Sequence, residues 1–170
     1  MAAMTQAGRD AWNAFGATLT ITDRLGRKFV PSGIQIYQRI SRNLHTIAVA
    51  PLALPPVSQV ISSPLALTVL LAHTASVFTV DCSSEPGTGE VPVVFVGPQQ
   101  SPGVSTPGKK LRYLFKAAAA TAGPYDIYAA YVAKFGAPII GKKIFVGVQF
   151  INNTTGARSG MVTGSQICGA

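Results

Sequence analysis

One stretch of this chain decides its fold class, and it reads KIFVGVQFI at residues 143–151. Apolar side chains recur at every second position along it, at Ile144, Val146, Val148 and Phe150. Successive side chains of a β-strand point to opposite faces of a sheet, so this period of two predicts a strand with one face in a core. The stretch therefore indicates a β-sheet in the C-terminal half of the chain.

Short runs of the same character lie on both sides of that strand, separated by turns rich in Gly, Pro, Ser and Asn. They cover 65–71, 76–82, 92–97, 110–117 and 160–167. The set predicts a mainly β fold, an immunoglobulin- or fibronectin III-like β-sandwich over 61–170. In 124–138 apolar residues recur every four positions, which predicts one helix in a crossover between strands.

The first 50 residues predict a helix–hairpin–helix element. Residues 4–17 form an amphipathic helix in this prediction, with Thr5 as its cap, Gly16 as its stop, and Trp12 and Phe15 on one face. A hairpin follows, and Ser32 then caps a helix over 33–46. Its apolar stripe consists of Ile36, Tyr37, Ile40 and Leu44.

Residues 51–60 contain Pro51, Pro55 and Pro56, and proline both fixes φ and removes a backbone donor. We therefore expect an extended linker at 51–60. It separates an anchoring element (1–50) from the sandwich domain (61–170).

Charge is segregated along the chain, whose net charge is +8. Residues 1–50 have a balance of +4, and 109–170 a balance of +7. Residues 51–108 contain no Lys or Arg and three acids, Asp81, Glu85 and Glu90. Such a distribution is typical of complementary surfaces on copies of one molecule, and it also suits a basic surface facing an anion.

Charged residues make up only 12% of the chain and apolar residues 48%. The charged share is about half of the usual one. A weakly charged surface favours an assembly subunit, in which much surface is buried. The alternative is a plain monomer with a Ser-, Thr- and Gln-rich surface.

The sequence offers no recognisable catalytic or metal chemistry, and we expect neither an enzyme nor a cofactor. It has no nucleophile-elbow or phosphate-loop motif, and Glu85 and Glu90 are interpreted as solvated turn charges. Cys82 and Cys168 are expected to be buried thiols rather than a disulfide. With His45 and His73 they show no zinc-ligand spacing. We further expect no membrane span and no signal peptide, and hence synthesis in a cytoplasm.

A basic strand invites a nucleic-acid hypothesis, because Lys109, Lys110, Arg112 and Lys116 surround two aromatic residues. Strand alternation predicts that the cations point outward and that both aromatic residues, Tyr113 and Phe115, point to the core. A platform on which bases stack needs aromatic and basic side chains on the same exposed face, so nucleic acid is a possible partner but not the favoured one. The run NNTTG at 152–156 is interpreted as a hairpin turn.

Most of the chain resembles a group of uncharacterised phage and environmental bacterial proteins of virion type. The resemblance rests on AWNAF (11–15), TDRLG (22–26), SG (32–33), RNL (42–44), DIYAAY (126–131), FG (135–136), GKKIFV (141–146) and NTTG (153–156). It implies a virion or surface-assembly component with a fibronectin type III-like domain, and it implies no catalytic residue.

The resulting hypothesis is a structural assembly protein located in the virion, such as a capsid decoration, head or tail subunit. Its expected partners are copies of itself or other virion proteins, without a small-molecule substrate. The candidate contacts are apolar (Trp12, Phe15, Ile36, Tyr37, Ile40), acidic (Asp81, Glu85, Glu90) and basic (Arg39, Arg42, Lys109, Lys110, Arg112, Lys116). The alternative is a sandwich module that binds carbohydrate or a host surface. The loops at 83–91, 97–108 and 152–159 contain no aromatic residue, which counts against it.

Overall fold

A computed structural model of the chain describes residues 4–23, 25–57, 60–107 and 110–170. Within these residues the protein is mainly β, with antiparallel sheets and three helices. The chain divides into two compact units. The first unit consists of Met1–Val60 and Asn152–Ala157, and the second consists of Ile61–Ile151 and Arg158–Ala170.

The first unit contains the predicted helix, hairpin and helix. Its elements are α1 (Gln6–Ala17), β1 (Ile21–Thr22), β2 (Lys28–Phe29) and α2 (Gly33–Thr46). At the start of α1 the side-chain oxygen of Thr5 accepts the backbone N–H of Gly8 at 3.2 Å. At the start of α2 the side chain of Gln35 accepts the backbone N–H of Ser32 at 2.9 Å. Residues 51–57, the described start of the predicted linker, contain no helix or strand.

Two glycines allow α1 to lie close to the chain around the start of α2. A Cβ on Gly33 would lie 2.5 Å from Oδ1 of Asn13, and one on Gly16 would lie 2.9 Å from the carbonyl oxygen of Pro31. The predicted end of α1 at residue 17 is confirmed, although Gly16 lies inside the last turn of the helix rather than after it. Gly16 is buried and serves this close approach.

The first unit also includes the turn at Asn152–Ala157. Oδ1 of Asn152 accepts the backbone N–H groups of Thr154 and Thr155, both at 2.9 Å, which confirms the predicted turn. The carbonyl oxygen of Gly156 accepts Nδ2 of buried Asn43 at 2.9 Å. This bond joins the turn to α2.

The second unit contains two antiparallel sheets. Its elements are β3 (Leu67–Ala72), β4 (Val77–Cys82), β5 (Glu90–Val96), β6 (Arg112–Lys116), β7 (Tyr125–Asp126), α3 (Tyr128–Phe135), β8 (Lys143–Asn152) and β9 (Val162–Ile167). One sheet has the order β3-β4-β7 and the other the order β6-β5-β8-β9. The six predicted strands are all present, with ends shifted by two residues or fewer.

The predicted helix at 124–138 is shorter in the structure, because its first residues form β7. Val80 of β4 is registered with Tyr125, and Thr79 with Asp126. Oδ1 of Asp126 then accepts the backbone N–H of Tyr128 at 3.0 Å, so the helix begins only after β7. A strand of two residues is too short to show alternation in a sequence.

Both sheets contribute side chains to one apolar core. Ile144, Val146, Val148 and Phe150 of β8 are fully buried in this core, as their spacing predicted, but the opposite face of the strand, with Phe145, Gln149 and Ile151, is buried too. The three-stranded sheet and the crossover segment add Leu71, Phe78, Val80, Tyr125, Ile127 and Tyr131. In the described part of the chain, no helix combines the length and apolar character needed to cross a membrane.

Candidate interaction surfaces

Three of the apolar residues expected to contact a partner are core residues of the first unit. Trp12 has no exposed surface, and its Nε1 donates to the carbonyl oxygen of Ala53 at 3.3 Å. Ile36 and Ile40 are also buried. These three assignments to an interface are therefore wrong, because side chains buried in their own unit offer no surface to another molecule.

Phe15 and Tyr37 are half-buried beside Trp12. Their rings meet the indole edge-on, with centroids 6.1 and 5.4 Å away respectively. The two cations expected on the outer side of α2, Arg39 and Arg42, are exposed. The outer side of this helix is thus basic, and its inner side is apolar.

The three expected acids have three different surroundings. Glu85 is exposed and Asp81 is half-buried on the outer face of β4, but Glu90 is only 5% exposed. The carboxylate of Glu90 accepts the backbone N–H groups of Ser62 and Gly87, each at 2.7 Å. The interpretation of Glu90 as a solvated turn charge and an interface residue is wrong, because its buried carboxylate accepts two backbone N–H groups within the second unit.

The basic strand β6 differs from the expected alternation. The register with β5 shifts between Val94 and Phe95, since Val94 is registered with Phe115 and Phe95 with Tyr113. This shift is a β-bulge at Leu114, and a bulge changes which face the next side chain takes. Phe115 packs on the core as predicted, and so does Leu114.

The prediction for Tyr113 is wrong, because the residue is 38% exposed and its ring meets that of Phe95 edge-on with centroids 6.2 Å apart. Among the basic candidates, Lys110 and Arg112 are exposed and Lys116 is half-buried. Lys109 lies outside the described residues.

One group of exposed apolar side chains was not among the sequence predictions. It lies along the β1–β2 hairpin and the first turn of α2, where Leu25 is 78% exposed and Val30 61% exposed. Phe29 and Ile34 are exposed as well. We call these four side chains the hairpin strip. The sequence signal that could have revealed the hairpin strip is Leu25, an apolar residue beside Gly26. A side chain at a turn lies on neither face of a sheet, so no sheet neighbour covers it.

The backbone that holds the hairpin strip is tightly bonded. Oδ1 of Asp23 accepts the backbone N–H of Leu25 at 2.8 Å and that of Arg27 at 2.9 Å. Oδ2 of Asp23 pairs with Nε of Arg27 at 2.9 Å. The pKa of Asp23 lies below its ordinary value, chiefly because the backbone N–H of Arg27 donates to it, an effect that outweighs desolvation. Gly26, at φ +81°, completes the turn.

Charge in the second unit is divided between its two sheets. The strands of the three-stranded sheet carry two acids and no cation, and those of the four-stranded sheet carry three cations and only the buried Glu90. Both acids, Asp81 and Asp126, lie on the outer face of the three-stranded sheet, together with Leu70, which is 58% exposed. The outer face of this sheet is therefore acidic and partly apolar.

The thiols and phenols of the second unit offer little reactivity. Cys82 and Cys168 are free and buried, as expected. Burial, followed by the nearby Asp81, raises the pKa of Cys82 to about 11, and burial also raises the pKa of Cys168. Both thiols are protonated at neutral pH and are poor nucleophiles. Burial likewise raises the pKa of Tyr125 to about 12.

Among the described residues, no group of three or more His, Cys, Asp or Glu side chains is placed to hold a metal ion. The candidate interaction surfaces are the hairpin strip, the acidic face of the three-stranded sheet and the basic residues around β6. Comparison of the chain with protein-family models and with curated proteins finds no match.

Proposed function

We propose that this chain is a structural assembly protein that acts through protein–protein contacts. Within that class we propose a phage virion component, such as a capsid decoration, head or tail subunit, with the virion as its location. The virion assignment is supported by the sequence resemblance, and the assembly assignment is supported by the surfaces described above.

The observation that carries the proposal is the hairpin strip. Leu25, Phe29, Val30 and Ile34 lie within ten consecutive residues and are all exposed on backbone that Asp23 and the α2 cap hold in place. Single exposed apolar residues are common, but a group of them on ordered backbone is typical of a binding surface. Low surface charge supports the same conclusion, since charged residues make up only 12% of the chain.

The second unit supports a displayed sandwich domain of immunoglobulin or fibronectin III type. Such a sandwich has two antiparallel sheets packed around one core, with connections that cross from one sheet to the other. Here β3, β4 and β7 form one sheet while β5, β6, β8 and β9 form the other. This division of the strands between two antiparallel sheets supports the proposal of an immunoglobulin- or fibronectin III-like sandwich.

Light scattering of the purified chain over a concentration and salt series tests the assembly proposal. We expect a discrete oligomer or a filament whose mass rises with concentration. A subunit that assembles only on a preformed particle would be monomeric alone, so the same sample is also incubated with virion particles lacking the chain and sedimented. A monomer at every concentration that also stays unbound to particles contradicts the proposal.

A further inference from the structure

Two surfaces of this protein complement each other in polarity and charge, although they belong to different units. The hairpin strip is apolar and carries Arg27 and Lys28, both exposed. Arg27 is already paired with Asp23, so Lys28 is the described cation of the hairpin that an outside acid would meet. A fitting partner surface is therefore exposed, apolar and acidic.

The outer face of the three-stranded sheet has these properties. Leu70 of β3 is registered with Thr79 of β4, and Thr79 in turn with Asp126 of β7. Asp81 lies two residues along β4 on the same face, registered with Thr68. On this face Thr79 lies between Leu70 and Asp126, Asp81 lies diagonally across from Leu70, and the three strands carry no cation.

We propose that the hairpin strip of one copy binds the outer face of the three-stranded sheet of a second copy. The inference rests on the proposed function and names the surfaces that perform it. Both surfaces are exposed in a single chain, so each copy has one of each to offer. Since the two surfaces differ, the contact is heterologous, and it generates head-to-tail rings or filaments rather than a closed two-fold dimer.

The charges set the orientation and the apolar residues supply most of the affinity. An exposed pair such as Lys28 with Asp126 contributes little by itself and is screened by salt. Leu25 and Val30 against Leu70 remove apolar surface from water, which is insensitive to moderate salt. Association should therefore weaken several-fold between low and high salt without being abolished.

The test uses two full-length variants, Leu25→Asp for the hairpin and Leu70→Asp for the sheet. Both positions are exposed, so both variants should unfold in urea as the wild type does. Each variant alone has lost one of its two surfaces, and we expect each to be monomeric by light scattering. An equimolar mixture retains one intact hairpin–sheet pair, and we expect dimers of one copy of each that do not grow further.

Leu54→Asp is the matched control, because Leu54 is an exposed leucine of the first unit outside the hairpin strip. We expect this variant to keep the wild-type mass. If wild-type chains assemble but Leu25→Asp assembles equally well, the inference fails and the proposed function stands. If only Leu25→Asp is defective and Leu70→Asp keeps the wild-type mass, hairpins contact each other or something else, and the inference is again overturned.

Two other partner classes are tested with the same variants. Phosphatidylserine vesicles and a DNA duplex are each mixed with wild-type chain and with Leu25→Asp. Vesicle or DNA binding that Leu25→Asp abolishes, together with an unchanged mass in the mixing experiment, would assign the hairpin strip to a membrane or nucleic acid and overturn the inference. A wild-type chain that neither associates nor binds particles contradicts both this inference and the proposed function.

Discussion

Two turns of the first unit are built by the same local chemistry but end in opposite surroundings. In one, Oδ1 of Asp23 accepts two backbone N–H groups, and in the other Oδ1 of Asn152 does the same. Each turn then contains a glycine at positive φ, Gly26 at +81° and Gly156 at +66°. The turn at Asn152 packs on α2, whereas the turn at Asp23 leaves Leu25 in solvent.

The contrast separates two uses of an ordered turn. A Cβ on Gly156 would lie 2.6 Å from Cγ2 of Ile40, so that turn serves the packing of its own unit. A Cβ on Gly26 would have no atom within 4 Å. An ordered turn that packs on nothing else in its unit contributes little to the stability of the fold. We therefore propose that the hairpin at Asp23 contacts a partner.

The largest expected effect is that of Gly156→Ala. Positive φ and the contact with Ile40 both oppose the added methyl group, and together they should lower the free energy of unfolding by about 2–4 kcal/mol. Urea unfolding followed by the fluorescence of Trp12, the only tryptophan and fully buried in this unit, measures the loss.

Gly26→Ala is the control for that prediction. It introduces the same strain at positive φ but no contact, so it should cost only about 1–2 kcal/mol, and less if the hairpin adjusts. Equal losses at the two glycines would show that backbone strain alone matters, and the comparison between the turns would then be wrong.

Asn43→Ala should have the next largest effect. This substitution removes the buried hydrogen bond that Nδ2 of Asn43 donates to the carbonyl oxygen of Gly156, and the oxygen loses that donor. The expected loss is about 1–2 kcal/mol in the same urea experiment. An unchanged unfolding midpoint would mean that the turn at Asn152 does not depend on α2.

Much of the fold was predictable because burial follows local periodicity. The strand at 143–151 is present, and Ile144, Val146, Val148 and Phe150 lie in the core as the period of two predicted, although the opposite face of the strand is buried too. In α2 the predicted stripe is buried at Ile36, Ile40 and Leu44 and half-buried at Tyr37. The misses came from contacts distant in sequence. The bulge at Leu114 turns Tyr113 outward, and the donors that hold Glu90 include the backbone of Ser62, for which no side-chain pattern exists.

The candidate site was less predictable for a related reason. Aromatic and aliphatic residues at helical spacing were expected to contact partners, but a periodic apolar stripe is first of all the inner face of its own helix. Trp12, Ile36 and Ile40 accordingly became core. Leu25, the most exposed residue of the hairpin strip, has no periodic neighbours and lies at a turn.

A smaller effect should follow from acidification. The pKa of Asp23 is lowered in the folded chain, so its contribution is complete above the ordinary value of 3.8 and is lost as pH falls through the lower folded pKa. We expect the amide signals of Leu25 and Arg27 in NMR spectra to move together below about pH 4, while those of Thr154 and Thr155 stay fixed, because Asn152 does not titrate. Joint movement of all four signals would contradict this assignment.

The smallest expected effect on stability is that of Leu25→Ser. The side chain is 78% exposed, so the free energy of unfolding should change by no more than about 0.5 kcal/mol. A larger loss in urea would show that the leucine packs within its own chain, and the hairpin strip would then be part of the fold.

Sedimentation velocity of the wild type beside Leu25→Ser/Val30→Ser, at matched concentration, tests the central claim most directly. Both replaced residues belong to the hairpin strip and are exposed, so the urea midpoints should agree. The account predicts an oligomer for the wild type and a folded monomer for the variant. A folded variant that sediments like a wild-type oligomer would contradict the claim that the open hairpin is a binding surface.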